Sequence, residues 1–260
     1  MKPILKTFLI VFVCLIFLSN SVQAQTEFVV PVGGIAITGY DFNSNIFSFV
    51  CLTDIPAKTM IQFTDKGWFS YTNRFINSES IYYWNTPNGC SLGQVVSITS
   101  DLNLDPSGDQ IFVYQENDGV THLIFGLNTN PNSWLPHLDV PSVNQSNLPD
   151  ALAGDPLAAI SVVHTIPGEK NKYGFYKEVR SFNTTSEALA AIVVTTNWKT
   201  SESSLQIPTG FFSFKTTAVQ LSEFGASSGS ELPPVWVLLG LVIAPAAILL
   251  FKRPKRDCCS

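Results

Sequence analysis

Histidine, methionine and charge are all scarce in this chain. Its 260 residues hold three histidines and two methionines, and only 13% are Asp, Glu, Lys or Arg. His122, His137 and His164 stand singly, with no i, i+4 pair and no H-E-x-x-H, so the spacing of a zinc site is lacking. Basic residues are fewest in the middle: between 25 and 231, nine Lys and Arg face nineteen Asp and Glu, a balance of −10. Such a field repels phosphate backbones and argues against a nucleic-acid partner. Long apolar runs occur only at the two ends.

Residues 1–24 read as a signal peptide. Lys2 and Lys6 precede an unbroken apolar run over 8–18, and Val22-Gln23-Ala24 fits the small-residue rule for cleavage between Ala24 and Gln25. As a helix that run is about 16 Å long, short of a ~30 Å hydrocarbon core. Residues 235–251 form the second run, uncharged throughout and followed at once by Lys252, Arg253, Lys255 and Arg256. The cations predict a transmembrane helix with a cytoplasmic tail over 252–260, and Trp236 stands at an interfacial anchor position. The protein is thus expected to be exported and held on the cell surface by a single pass, its domain spanning 25–221. A Ser/Gly/Pro stalk over 222–234 joins domain to helix.

Cysteine is sparse as well. Cys14 leaves with the signal peptide, and Cys258-Cys259-Ser260 fails the prenylation rule because Asp257 stands at the fourth position from the end, although palmitoylation of the pair is open in a eukaryote. Cys51 and Cys90 remain in the exported part. An oxidising compartment permits a disulfide between them, while the alternation of Cys51 with Phe49 and Phe47 equally suits a small buried hydrophobe.

What is abundant is the short apolar run broken by Gly, Pro, Asn and Asp, the signature of many short strands. Strands are predicted near 34–40, 46–53, 59–65, 80–85, 94–99, 110–115, 121–127, 158–164 and 210–216, with turns at 65–67, 87–89, 106–109 and 117–119. Both alternating sets of 45–52 are largely apolar, which predicts a central strand covered on both faces. A helix starts at the capping box Thr184-Thr-Ser-Glu187 and continues through 188–192. Residues 128–157, rich in Pro and Asn, form a long irregular excursion, the expected interaction region.

Reactive constellations are few. Gly225-Ala-Ser227-Ser-Gly229 matches G-x-S-x-G but lies in the stalk, without the strand and helix that a nucleophile elbow needs. Asp101, Asp105 and Asp109 could gather around calcium, the competing reading being a turn in which Asp109 bonds backbone amides. Glu79, Glu116 and Asp118 are the carboxylates a hydrolase reading would draw on. Asn144-Gln-Ser146 and Asn183-Thr-Thr185 fit the N-glycosylation rule. Among the aromatics, Trp68, Tyr83, Trp84 and Trp134 are candidates for a sugar-stacking platform, with core packing the competing use.

Gly34-Ile-Ala-Ile-Thr-Gly-Tyr40, Phe47-Ser-Phe-Val-Cys-Leu-Thr-Asp-Ile-Pro-Ala57, Ile61-Gln-Phe-Thr-Asp-Lys-Gly-Trp68 and Ser107-Gly-Asp-Gln-Ile-Phe112 resemble an uncharacterised family of bacterial secreted and cell-surface domains. There an "LxDIPAGT" turn, an "FTDxGW" strand and a "SGDQIxxY" strand recur in this order. Lys58 occupies the place where that turn has glycine. The layout over about 33–200 is also similar to the lamin-tail domain, which implies an immunoglobulin-like β-sandwich and brings no shared catalytic centre. Leu232-Pro-Pro-Val-Trp236 with Lys252-Arg-Pro-Lys-Arg256 resembles exosortase-type sorting tails, without their Pro-Glu-Pro signature. That likeness implies a transpeptidase cutting near Pro234, with release or transfer of the mature protein.

The expectation is therefore an all-β, immunoglobulin-like sandwich with one or two short helices. Its expected role is non-catalytic: adhesion, matrix attachment, or binding of a surface glycan or protein partner, without a cofactor. A secreted carboxylate-dependent hydrolase and a calcium-stabilised structural module are the alternatives.

Overall fold

Phenylalanines at every second position build the interior. The computed structural model describes residues 28–76, 79–131, 133–162 and 172–215. Their strands are β1 (Ile35–Asp41), β2 (Ile46–Cys51), β3 (Met60–Thr64), β4 (Trp68–Phe69), β5 (Arg74–Phe75), β6 (Ile81–Asn85), β7 (Val95–Thr99), β8 (Gln110–Asn117), β9 (Val120–Asn128), β10 (Ala159–Ser161), β11 (Tyr173–Tyr176), β12 (Ser181–Phe182), β13 (Trp198–Ser201) and β14 (Ser213–Phe214). Two short helices join them, α1 (Asp150–Ala153) and α2 (Thr185–Ile192).

The described part is mostly β. One five-stranded sheet runs β13-β11-β1-β2-β7, the other β10-β9-β8-β3-β6, and every neighbouring pair is antiparallel except β10 with β9. The sheets meet through aromatic rings. Phe47 and Phe49 of β2 lie 4.8 and 5.1 Å from Phe63 of β3, and Phe49 meets Trp84 of β6 edge-on at 4.9 Å. Side chains of period two thus fill the space between two sheets, as in a β-sandwich.

The expected central strand is found at β2, between β1 and β7, with Phe47 through Cys51 all buried. Its polar Ser48, on the alternate face, exchanges a hydroxyl hydrogen bond with Thr38 at 3.2 Å. Helix α2 begins where the capping box predicts: Thr184 Oγ1 accepts from the Glu187 N–H at 3.1 Å. The Glu187 carboxylate reaches one residue further back, to the N–H of Asn183 at 2.9 Å. That bond and the Asn183 side chain hold its pKa below the usual carboxylate value.

At the β8–β9 hairpin, Asp118 and Gly119 have φ of 51° and 76°, the two positive values of a type I′ turn. Lys58 has φ of 66°, the left-handed conformation that a glycine would take without steric cost. Cys51 and Cys90 are bonded to each other, tying the end of β2 to the β6–β7 loop.

Differences from the predicted strands concern short elements. β11 is not among them, because four residues between Lys172 and Lys177 with Gly174 inside give little strand signal. The glycine is there for packing: a Cβ on it would lie 2.6 Å from the Tyr40 ring. β13 and the β4–β5 pair are likewise too brief for the pattern. The 158–164 and 210–216 strands are found as β10 and β14, with 163–164 and 216 outside the described residues.

Residues 1–27 and 216–260 lie outside the description, and with them the signal peptide and its Ala24–Gln25 cleavage point, the stalk, the Ser227 motif, the 235–251 segment and the tail cysteines. His164 is outside it too. Among the described residues no helix is long and apolar enough to cross a membrane.

Candidate functional site

β9 runs to Asn128, so the predicted 128–157 excursion begins at 129, and it is held to the sheets by buried polar side chains. Its prolines cannot donate, so its carbonyls depend on donors from elsewhere. Asn147, fully buried, supplies them: Nδ2 donates to Pro136 O at 2.6 Å and Asp139 O at 3.0 Å, while Oδ1 accepts from the Ser70 N–H at 2.9 Å. Its backbone N–H donates to Trp68 O at 3.0 Å, and Ser146 Oγ accepts from the Trp68 N–H at 2.9 Å. A bridge between Leu135 and Asn147 closes the loop on itself.

A second hub lies at the start of β8. The Asp109 carboxylate accepts from the N–H groups of Asp105 and Gln110, both at 2.8 Å, and so shapes the turn through Gly108, whose φ is 123°. Gln110 Nε2 donates to Val143 O at 2.9 Å and to Asp65 O, which joins the excursion to the end of β3. With both amide hydrogens so used, the buried Gln110 Oε1 has no donor among the described residues. Asn128 Nδ2, opposite Gln110 in the β8–β9 register, is also buried without a partner among the described residues.

In front of this hub is a cleft of about 410 Å³, lined by Glu79, Asn103, Leu104, Asp105, Val143 and Asn144. Its walls are fixed from behind. Asp65 Oδ2 accepts from the Asn103 N–H at 3.0 Å, Asp105 Oδ2 accepts from Asn144 Nδ2 at 2.6 Å, and Asn130 Nδ2 donates to Asn144 O at 2.7 Å. Burial pushes the Asp109 carboxyl up to about 9; the two N–H groups it binds oppose this, and the charges of Asp65 and Glu79 add to it. Burial raises Asp65 as well, against the Asn103 N–H and the Lys66 charge.

The cleft is rich in acceptors, so it suits a ligand that presents hydrogen-bond donors or positive charge. Compared with family models, curated proteins and solved structures, the chain matches none.

The residues singled out from sequence are distributed unevenly. Asp105 and Asp109 meet, but their oxygens serve donors of the turn and the Asn144 amide, and Asp101 is exposed. Among the described residues no group of three or more His, Cys, Asp or Glu is placed to hold a metal ion. Glu79 stands near Asp109, at one end of β8, whereas Glu116 bonds Thr121 Oγ1 at the other end, roughly 20 Å away at the rise of a strand. The three carboxylates of the hydrolase reading are therefore not one group.

The aromatic platform needs correction. Trp68 is in the core against Phe75, Trp84 is half-buried on Phe49, and Trp134 is half-buried on Phe112. Only Tyr83 of the four is exposed, because neighbouring strand residues point to opposite faces. Of the two sequons, Asn144 is tied into the cleft wall and Ser146 is fully buried, while Asn183 is on the surface. Sequence reasoning missed Asn147, Ser146, Gln110 and Asp65. For all but Asp65 the one outward sign is that amide, hydroxyl and acidic side chains crowd 105–110 and 144–147, beside prolines that lack a donor.

Proposed function

We propose that this chain is an exported, cell-surface-anchored domain that binds a surface glycan or protein partner without catalysis, and that the 129–157 excursion is its recognition element. The single observation behind this reading is a pinned loop that nevertheless exposes apolar side chains. Leu138 and Val140 are each 70% exposed, and Val143, which lines the acceptor-rich cleft, is 54% exposed. Clustered exposed apolar residues on a fixed loop suit a binding surface better than a solvated one.

Within this proposal the sandwich has the immunoglobulin-like layout of lamin-tail domains. The left-handed Lys58, at the glycine position of the "LxDIPAGT" turn, supports the likeness to the bacterial cell-surface domains. Residues 1–24 direct export, and 235–251 anchor the chain with its C-terminus in the cytoplasm unless a sorting transpeptidase cuts near Pro234. Mass spectrometry of the mature C-terminus distinguishes anchoring from transfer.

A glycan array and a pulldown with the full chain in detergent test the binding role. Leu138→Asp with Val140→Asp should abolish capture of the partner and leave melting unchanged. The second reading, a hydrolase, draws on Glu79 and Asp105 at one cleft with the raised Asp109 behind them. Turnover of a polymer by the full chain, lost in Glu79→Gln, would establish it and overturn the first.

A further inference from the structure

Two acceptors at the back of the cleft lack donors. Asp65 and Gln110 are wholly buried, and Asp65 Oδ1 and Gln110 Oε1 have no hydrogen-bond partner among the described residues. Folded proteins give nearly every such atom a donor, from the chain itself, from water or from a ligand. The other atom of each group shows where these oxygens stand. Asp65 Oδ2, on the same carbon as Oδ1, accepts from the Asn103 N–H at 3.0 Å, and Gln110 Nε2, on the same carbon as Oε1, donates to Val143 O at 2.9 Å. Asn103 and Val143 both line the cleft and both are exposed. Gln110 Nε2 also donates to Asp65 O, so the two groups are neighbours behind one stretch of wall.

The charge around them has one sign. Asp109, next to Gln110, feels the negative charges of Asp65 and Glu79, and Glu79 and Asp105 are in the cleft wall. Lys66 is the cation that acts on Asp65. Water or a neutral hydroxyl would supply donors and leave the carboxylates facing one another. A positively charged nitrogen supplies donors and charge together. A calcium ion asks for six or more oxygen ligands, and among the described residues no group of three or more His, Cys, Asp or Glu is placed for a metal.

We propose that the cleft takes the basic side chain, lysine or arginine, of a protein partner, whose N–H groups reach the acceptors that Asp65 and Gln110 hold at its back wall. This rests on the excursion being the recognition element, and within that reading it selects a protein over a neutral glycan. At about 410 Å³ the cleft is of the size that ligand groups fill. Val143 brings exposed apolar surface to its rim, and Leu138 and Val140 extend it on the same loop, so the partner segment sets apolar residues beside the basic one. The balance of −10 over 25–231 steers such a segment inward.

Saturation-transfer NMR of the full chain in detergent tests this, with Nα-acetyl-lysine amide, Nα-acetyl-arginine amide, uncharged Nα-acetyl-norleucine amide and calcium chloride as probes. Saturation is expected on the outer methylenes of the two basic probes and not on norleucine. Their affinity should fall severalfold between about 0.05 and about 0.5 M salt. Asp65→Asn removes one acceptor and its charge and should abolish binding. Should that variant fold poorly, Glu79→Gln, in the half-buried wall, should weaken binding about three- to tenfold. Norleucine bound as well as lysine, no basic probe bound at all, affinity indifferent to salt and to Glu79→Gln, or calcium bound more tightly than either basic probe would each overturn the proposal. Partner capture that depends on Leu138 and Val140 but is unchanged in Glu79→Gln would overturn it too, while leaving the recognition role of the excursion intact.

Discussion

The space between the sheets and the base of the 129–157 excursion are both fully buried, and they are built on opposite chemistry. Between the sheets, Phe47, Phe49 and Phe63 pack ring on ring, and removal of apolar surface from water supplies the stability. Beneath the excursion, Asp65, Asp109, Gln110, Asn128, Ser146 and Asn147 are as deeply buried, and directed hydrogen bonds hold them. In the first region a lost ring leaves a cavity, at a cost that does not depend on pH. The second has little tolerance, since a buried donor or acceptor that loses its partner costs about 1–3 kcal/mol and a buried carboxylate must change its protonation.

The largest expected effect separates the regions by pH. The Asp109 carboxyl has an ordinary value of 3.8 and is pushed up to about 9 in the fold, so the folded state binds more protons across that window. The contribution of Asp109 to stability is therefore complete at or below pH ~4 and is lost as pH rises toward 9. At about 1.4 kcal/mol per pH unit of raised value the loss is several kcal/mol, limited by local opening of the turn. Asp65, also raised, adds with the same sign. Urea unfolding at pH 5, 7 and 9 should show this slope. Asp109→Asn should flatten it, being less stable than wild type at pH 5, because an amide offers one acceptor to two N–H groups, and more stable at pH 9. A core variant would leave the slope unchanged.

Next in size is Phe63→Ala, which opens a cavity between the sheets and should cost about 3–5 kcal/mol in the same assay at every pH. Asn147→Ala strips partners from the Ser70 N–H and from the carbonyls of Pro136 and Asp139, for about 2–3 kcal/mol. It should loosen 133–148 while leaving the sheet amides protected. The smallest is Lys58→Gly, which relieves a left-handed lysine and should raise stability by less than ~1 kcal/mol, read as a slight rise in melting temperature.

The same contrast explains what could be read from the amino acids alone. Alternating Phe47, Phe49 and Cys51 announce β2, Asp118-Gly119 announces the hairpin, and Thr184 with Glu187 announces α2, because each signal is local and matches its own structure. Asn147 and Gln110 carry no such signal. Polar residues among prolines read as a solvated loop, and only bonds to Ser70, Pro136 and Val143, distant or out of register, turn them inward. The carboxylates misled in the same way: Glu79 belongs with Asp65 and Asp109 through the fold, not with Glu116. Aromatics were ambiguous for the opposite reason, since Tyr83 and Trp84 are neighbours in sequence yet face different sides of one strand.

Central to this account is that the excursion is a fixed part of the body, pinned by Asn147 and Ser146, so that Leu138, Val140 and the cleft are presented in one arrangement. Amide hydrogen exchange of the Leu135 and Asn147 N–H groups, which bond Ser146 O at 2.8 Å and Trp68 O at 3.0 Å, tests it most directly. Protection comparable to that of the β8 and β9 amides is the predicted result. Exchange of both at the rate of an unstructured chain would contradict it.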